Sequence, residues 1–187
     1  MVGTLTASLI RQSGDSVEIG SDPTVMECEL GAVLRRDLEG PGLTDLDILA
    51  AIEGFLPAIK VAPVRPGVRE RAYSWQHMIA VQKAAGGYVV TGGRLTRPAG
   101  FDARLEGCLV SVDGSARAGA IGYEAMGNPL RVIAAMADRL STIGERLRAG
   151  QLVITGSLPP PQPVSVGHRT VRAEFTTLGS VEVGLCW

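Results

Sequence analysis

The run Val25–Leu34, VMECELGAVL, sets the tightest limit on how this chain folds. Most of it is apolar, as in a strand buried within a sheet, yet Glu27 and Glu29 stand two apart inside it. Side chains alternate along a strand, so Glu27, Glu29 and Gly31 share one face while Cys28 and Leu30 share the other. Two carboxylates on one face have two readings. Either that face meets water, or the pair is buried and its repulsion is relieved by a cation or by protonation of one member. The flanking Met26, Leu30, Ala32, Val33 and Leu34 weigh towards burial.

Around this strand, helical and extended patterns alternate without an internal repeat, which predicts a mixed α/β fold in one domain, residues 1–187. Thr44 is placed as an N-cap with Asp45 and Asp47 in the first turn. Leu46, Leu49, Ile52, Phe55 and Leu56 then recur at helical spacing up to a stop at Pro57. AIKVAPV, residues 58–64, reads as a short strand and RPGVRERAY, residues 65–73, as a solvated loop. Ser74 caps a short helix through Ala85, which Gly86 and Gly87 end before the strand YVVTG. RLEGCLVSV and ARAGAIG pair about a turn at Asp113–Gly114. Asn128 and Pro129 open the clearest helix, with Leu130, Ile133, Ala134, Ala137, Leu140 and Leu147 as its buried stripe and Gly150 at its end. QLVIT follows as a strand, GSLPPPQP as a rigid loop, and TVRAEFTTLGSVEVGL as a closing hairpin.

Composition narrows the class. A net charge of -1 offers no attraction to nucleic acid or to an anionic membrane. Three scattered cysteines make no disulfide framework; each lies in a strand-like apolar context, where a thiol packs as a small hydrophobe. No signal-peptide pattern and no bilayer-length apolar run is seen, so a soluble cytoplasmic protein is expected. GGYVVTGG lacks the lysine and the spacing of a phosphate loop.

The order of segments resembles the hydratase and decarboxylase branch of the fumarylacetoacetate hydrolase superfamily, the 2-oxopent-4-enoate hydratases and 4-oxalocrotonate decarboxylases. The stretches that carry the resemblance are MECELGAVLRRDLEGPGLTDLDILAAIEGFLPAI, GNPLRVIAAMADRLSTIGERLRAGQLVITGSL and LGSVEV, with GTLTASLI before them. It implies a mixed β-sheet roll with flanking helices. It also implies that Glu27 and Glu29, as the E-x-E pair, would hold a divalent ion, usually magnesium, together with a third glutamate at the end of an LPAxE strand. Such a hard cation takes oxygen ligands and keeps several waters, and it would stabilise the enolate of a 2-oxo acid.

Here the chain departs from the pattern. The matching strand reads LPAIKV, so Lys60 stands where that glutamate is expected. A protonated amine cannot ligate magnesium. Lys60 therefore fills the cation position between Glu27 and Glu29, and the remaining negative charge calls for a second donor or a shared proton. No cofactor is expected; any magnesium would rest on Glu27 and Glu29 alone. A Lys60 turned towards solvent in an inactive site, or one forming a Schiff base, stays open. Other positions change as well. Thr6 and Ser8 replace an acidic residue near GTLTASLI. Pro63 and Val64 precede a retained Arg65, and Val81 and Gln82 replace an aspartate–asparagine pair. The resemblance also places a helical segment bearing a lysine ahead of this sequence.

The expected site is thus Lys60 as cation or general acid, Glu27 or Glu29 as base, and Gln82 orienting a substrate carbonyl. Arg65 would clamp a carboxylate, His77 would serve acid–base work on the bound substrate, and Ser157, with Gly156 ahead of the proline-rich loop, would bind near the substrate end or act as a plain turn residue. His168, in a turn, is expected to face solvent, and Glu124 has no assigned role. The expected activity is metal-independent proton transfer of lyase, isomerase or cyclase type on a small carbonyl compound, a 2-oxo acid or a polyketide-like biosynthetic intermediate. A magnesium-dependent hydratase or decarboxylase and a non-catalytic assembly homologue are the alternatives. A homo-oligomer is expected, with neither nucleic acid nor membrane as partner.

Overall fold

The computed structural model describes residue 3 and residues 5–64 and 87–187. Two mixed sheets pack face to face. In the first, β1 (Ile10–Gln12), β5 (Tyr88–Thr91), β4 (Ile52–Pro63), β3 (Thr24–Leu34) and β8 (Leu152–Ser157) lie in that order, with β9 (Gln162–Val164) also paired to β3. The second runs β2 (Ser16–Glu18), β11 (Gly179–Cys186), β10 (Thr170–Phe175), β6 (Gly107–Val112) and β7 (Ser115–Ile121). The β1–β5 and β2–β11 pairs are parallel and the others antiparallel. The helices α1 (Asp45–Ala51) and α2 (Pro129–Ser141) flank the sheets.

Strand alternation builds the core. Cys28, Leu30, Ala32 and Leu34 of β3 and Ile59 and Val61 of β4 face Val110, Val171, Ala173, Val181 and Val183 of the second sheet in one buried cluster. The other face of β3 and β4 carries Glu27, Glu29, Lys60, Ala58 and Leu56. There Leu56, Ala58 and Val89 make a separate small cluster with Leu5, Val33, Leu152 and Ile154. The first sheet is therefore covered on both faces, which is why β3 reads as a nearly continuous apolar run.

Three boundaries differ from the sequence reading. Thr44 caps α1 with a capping box to Asp47, but the helix ends at Ala51, and Phe55, Leu56 and Pro57 belong to β4. The apolar spacing of residues 52–56 suits a helix or a strand, and pairing with β3 from Thr24↔Pro63 to Leu34↔Ile52 decides for the strand. Pro57 is tolerated because its carbonyl, and hence its missing N–H, points to the β5 side, where the carbonyl accepts from Gly92; no β3 ladder bond is lost. At the other helix, Asn128 accepts from the Leu130 N–H and Pro129 follows, but the end comes well before Gly150. Glu145 N–H donates to the Leu140 carbonyl and Gly144 N–H to that of Ser141, a Schellman motif with Gly144 at φ +73. Leu147 lies beyond the helix and bridges to Leu38. Lastly, Gly156 and Ser157 extend β8, and Gln162–Val164 forms β9 out of the expected proline-rich loop. The helix expected at residues 74–85 lies outside the described residues.

Candidate active site

The β3–β4 register sets the centre of the site. Glu27 and Lys60 are direct cross-strand partners, so their side chains leave the sheet together on one face. Lys60 Nζ donates to Glu27 Oε2 at 2.7 Å, with the two side chains 27% and 21% exposed. Glu29, one step along the same face, is buried at 2% exposure. Its Oε2 accepts from the Gly156 backbone N–H at 2.7 Å. Burial above all, and then the charge of Glu27, push the Glu29 carboxyl up to about 7, while Lys60 and the Gly156 N–H act against the rise. Near neutral pH the Glu29 carboxyl therefore keeps its proton part of the time. The second donor that the charge balance calls for is a main-chain N–H.

Gly156, expected beside Ser157 ahead of the proline-rich loop near the substrate end, enters the site through its main-chain N–H, which side-chain chemistry does not announce. Ser157 pairs with Glu29 across the β3–β8 ladder, but its hydroxyl donates to the Pro159 carbonyl at 2.7 Å. Gln82, Arg65 and His77 lie outside the described residues. Thr6 and Ser8 hydrogen-bond to each other at 2.9 Å near the N-terminus. Glu124 is exposed in a short 3-10 turn. His168 is half-buried rather than solvent-facing, with Nδ1 accepting from the Ser165 N–H. Among the cysteines, Cys28 and Cys108 are buried, whereas Cys186 is exposed at the end of β11 and so does not pack as expected. The Cys28 thiol donates to the Cys108 sulfur, and this bond, then burial, push the Cys28 thiol far up, so it is no nucleophile. A second buried acid, Glu106, was missed in the sequence; its Oε1 accepts from the Thr177 and Leu178 N–H groups and clamps the β10–β11 turn. A cavity of about 510 Å³ opens elsewhere, lined by Leu5, Met136, Leu140, Leu152 and Ile154 among others, and neither Glu27, Glu29 nor Lys60 lines it.

Comparison with known proteins places this arrangement. The sequence matches the C-terminal domain of fumarylacetoacetate (FAA) hydrolase over residues 1–185. The chain belongs to the fumarylacetoacetate hydrolase family. Within that family it is 32% identical over 184 residues to the TodF product hydratase of Pseudomonas putida, covering 96% of this chain and 66% of that protein. It is 29% identical over 170 residues to the 2-hydroxyhexa-2,4-dienoate hydratase of Comamonas testosteroni, covering 89% and 63%. The chain thus spans just under two thirds of the length of these relatives. The fold superposes on the 4-oxalocrotonate decarboxylase of Pseudomonas putida G7, complexed with magnesium and adipate, with a TM-score of 0.86 at 25% identity, over 98% of this chain and 69% of that one.

Among the described residues, the donors that Glu27, Glu29 and Lys60 present do not by themselves fit a magnesium ion. The ammonium of Lys60 already occupies an oxygen of Glu27, and the Gly156 N–H occupies one of Glu29. Among the described residues no three His, Cys, Asp or Glu side chains gather as a metal site. A hard cation needs near-octahedral oxygen ligation and is repelled by an adjacent ammonium.

Proposed function

We propose that this family member catalyses proton transfer on an enolisable carbonyl compound, a 2-oxo acid or a related biosynthetic intermediate, with Lys60 in place of a metal ion. The observation that carries the reading is the Lys60–Glu27 ion pair at 2.7 Å beside the buried Glu29. An ammonium has three N–H donors. One is held by Glu27, which leaves two for the oxygen of a substrate carbonyl and stabilises the enolate as charge develops there. Glu27 orients Lys60. Glu29, with its carboxyl pushed up to about 7, moves the proton at the carbon beside the carbonyl. Whether the enol then collapses by hydration, loss of carbon dioxide, isomerisation or ring closure depends on the substrate. The named relatives include hydratases and a decarboxylase, which supports an enolate as the shared intermediate.

The test is deuterium exchange at C3 of 2-oxopentanoate in heavy water, followed by proton NMR with EDTA present. Exchange should proceed and fall by about 100-fold in Lys60→Ala, the typical loss of one donor to a developing oxyanion. Absence of exchange in the wild type both with EDTA and with added magnesium would end the enzyme reading and leave a binding or assembly homologue. A second reading, a magnesium-dependent hydratase or decarboxylase, is favoured by the magnesium in the complexed decarboxylase structure. Exchange abolished by EDTA and restored by magnesium would establish it in place of the first.

A further inference from the structure

The β3–β8 ladder is irregular beside Glu29. Ser157 pairs with Glu29 and Ile154 with Gly31, so three steps on β8 span two on β3. The extra residue makes a bulge at Thr155 and Gly156, and such bulges re-aim a group out of the ladder. Gly156 has φ +88, a region side-chain-bearing residues rarely adopt. A Cβ there would meet nothing within 4 Å, so the backbone angle, not space, calls for glycine. The bulge is clamped on both sides of Glu29. Thr155 Oγ1 donates to the Leu30 carbonyl at 3.1 Å, and the Leu158 N–H donates to the Cys28 carbonyl at 2.8 Å. Between these clamps the Gly156 N–H turns inward onto Glu29 Oε2.

From this geometry we infer that Gly156 is a positioning residue: its N–H pins Oε2 of Glu29, so that Oε1 is the oxygen that gives or takes the substrate proton. A carboxyl group with one oxygen tied cannot rotate to present the other edge, and its free oxygen keeps a fixed bearing on the face shared with Lys60. The charged groups acting on Glu29 are Glu27 of β3 and Lys60 of β4, and Leu152–Ser157 has no ionisable side chain. The inference rests on the role proposed for Glu29, and its test separates the two.

In the 2-oxopentanoate exchange assay, Gly156→Ala should lower the limiting rate by about 10- to 100-fold with the half-saturating concentration within about twofold, because orientation rather than binding is lost. Both variants keep the N–H, but asparagine tolerates positive φ better than alanine, so Gly156→Asn should restore the rate to within about threefold of wild type. Equal rates in Gly156→Ala and wild type, or equal losses in both variants, would overturn the inference. The Gly156 amide proton supplies a readout that needs no turnover and no folded Gly156→Ala variant. In the wild type it should resonate downfield of ordinary amides and move upfield in Glu29→Ala; a resonance unaffected by Glu29→Ala would overturn the contact itself. Absence of exchange in the wild type with the amide shift intact would sink the proposed function and leave the contact standing.

Discussion

Glu29 takes its behaviour from burial, and burial makes a definite pH signature. Its carboxyl sits at about 7 in the folded chain against an ordinary 4.5. The folded state therefore binds this proton more tightly than the unfolded state does. The favourable contribution is fully present below about pH 4.5 and is lost as pH rises through about 7, amounting to about 3 kcal/mol over that window. Glu29→Gln keeps an oxygen for the Gly156 N–H but has no proton to lose. Urea unfolding from pH 4.5 to 8 should show the variant gaining about 3 kcal/mol on the wild type as pH rises, with most of the change between pH 5 and 7. Parallel stability curves for the two proteins would mean that Glu29 is ionised throughout.

At the scale of elements, the contrast between the two helices tells what was legible. Both N-termini were, because capping is local: Thr44 with Asp47, and Asn128 with Pro129, satisfy main-chain donors within a few residues. Both ends were misread, for different reasons. Residues 52–56 carry a pattern that two periodicities share, and only the presence of β3 selects between them. Gly144 was a usable signal, passed over for the apolar Leu147 beyond it, which is buried through a bridge to Leu38 rather than by continuing the helix. Gly144→Ala should accordingly cost about 1 kcal/mol in chemical denaturation, the penalty of forcing a side chain to φ +73 where a Cβ meets nothing within 4 Å. The site was legible in the same uneven way. Two carboxylates on one strand face followed from alternation alone. That Lys60, far along the chain, stands opposite Glu27 came only through the family resemblance, since register between distant strands is set by the whole ladder. The Gly156 donor was hidden, because a main-chain N–H leaves no trace in side-chain chemistry.

For the whole molecule, the question is what holds Glu27, Glu29 and Lys60 in place. The backbone supplies the answer. The β3–β4 ladder presents Glu27, Glu29 and Lys60 from one face, while its other face is fixed by the large buried cluster between the two sheets. The scaffold is thus set by the ladder and the core rather than by the side chain at residue 60. This is consistent with a fold so close to that of a relative complexed with magnesium. A substitution at residue 60 should then change what the site binds without changing the fold. Lys60→Glu would place a third carboxylate beside Glu27 and Glu29, where an unrelieved cluster of like charge costs stability until a hard cation arrives. In the absence of divalent ions, Lys60→Glu should melt below the wild type. With magnesium at about 100 times its dissociation constant, binding contributes about 2.7 kcal/mol. For a chain of this length that raises the melting temperature by roughly 5 to 10 °C. The wild type, its Glu27 held by the ammonium, should show no such rise. Thermal melts of both proteins with and without magnesium check this; a comparable magnesium-dependent rise in the wild type would mean that Lys60 does not hold the cation position.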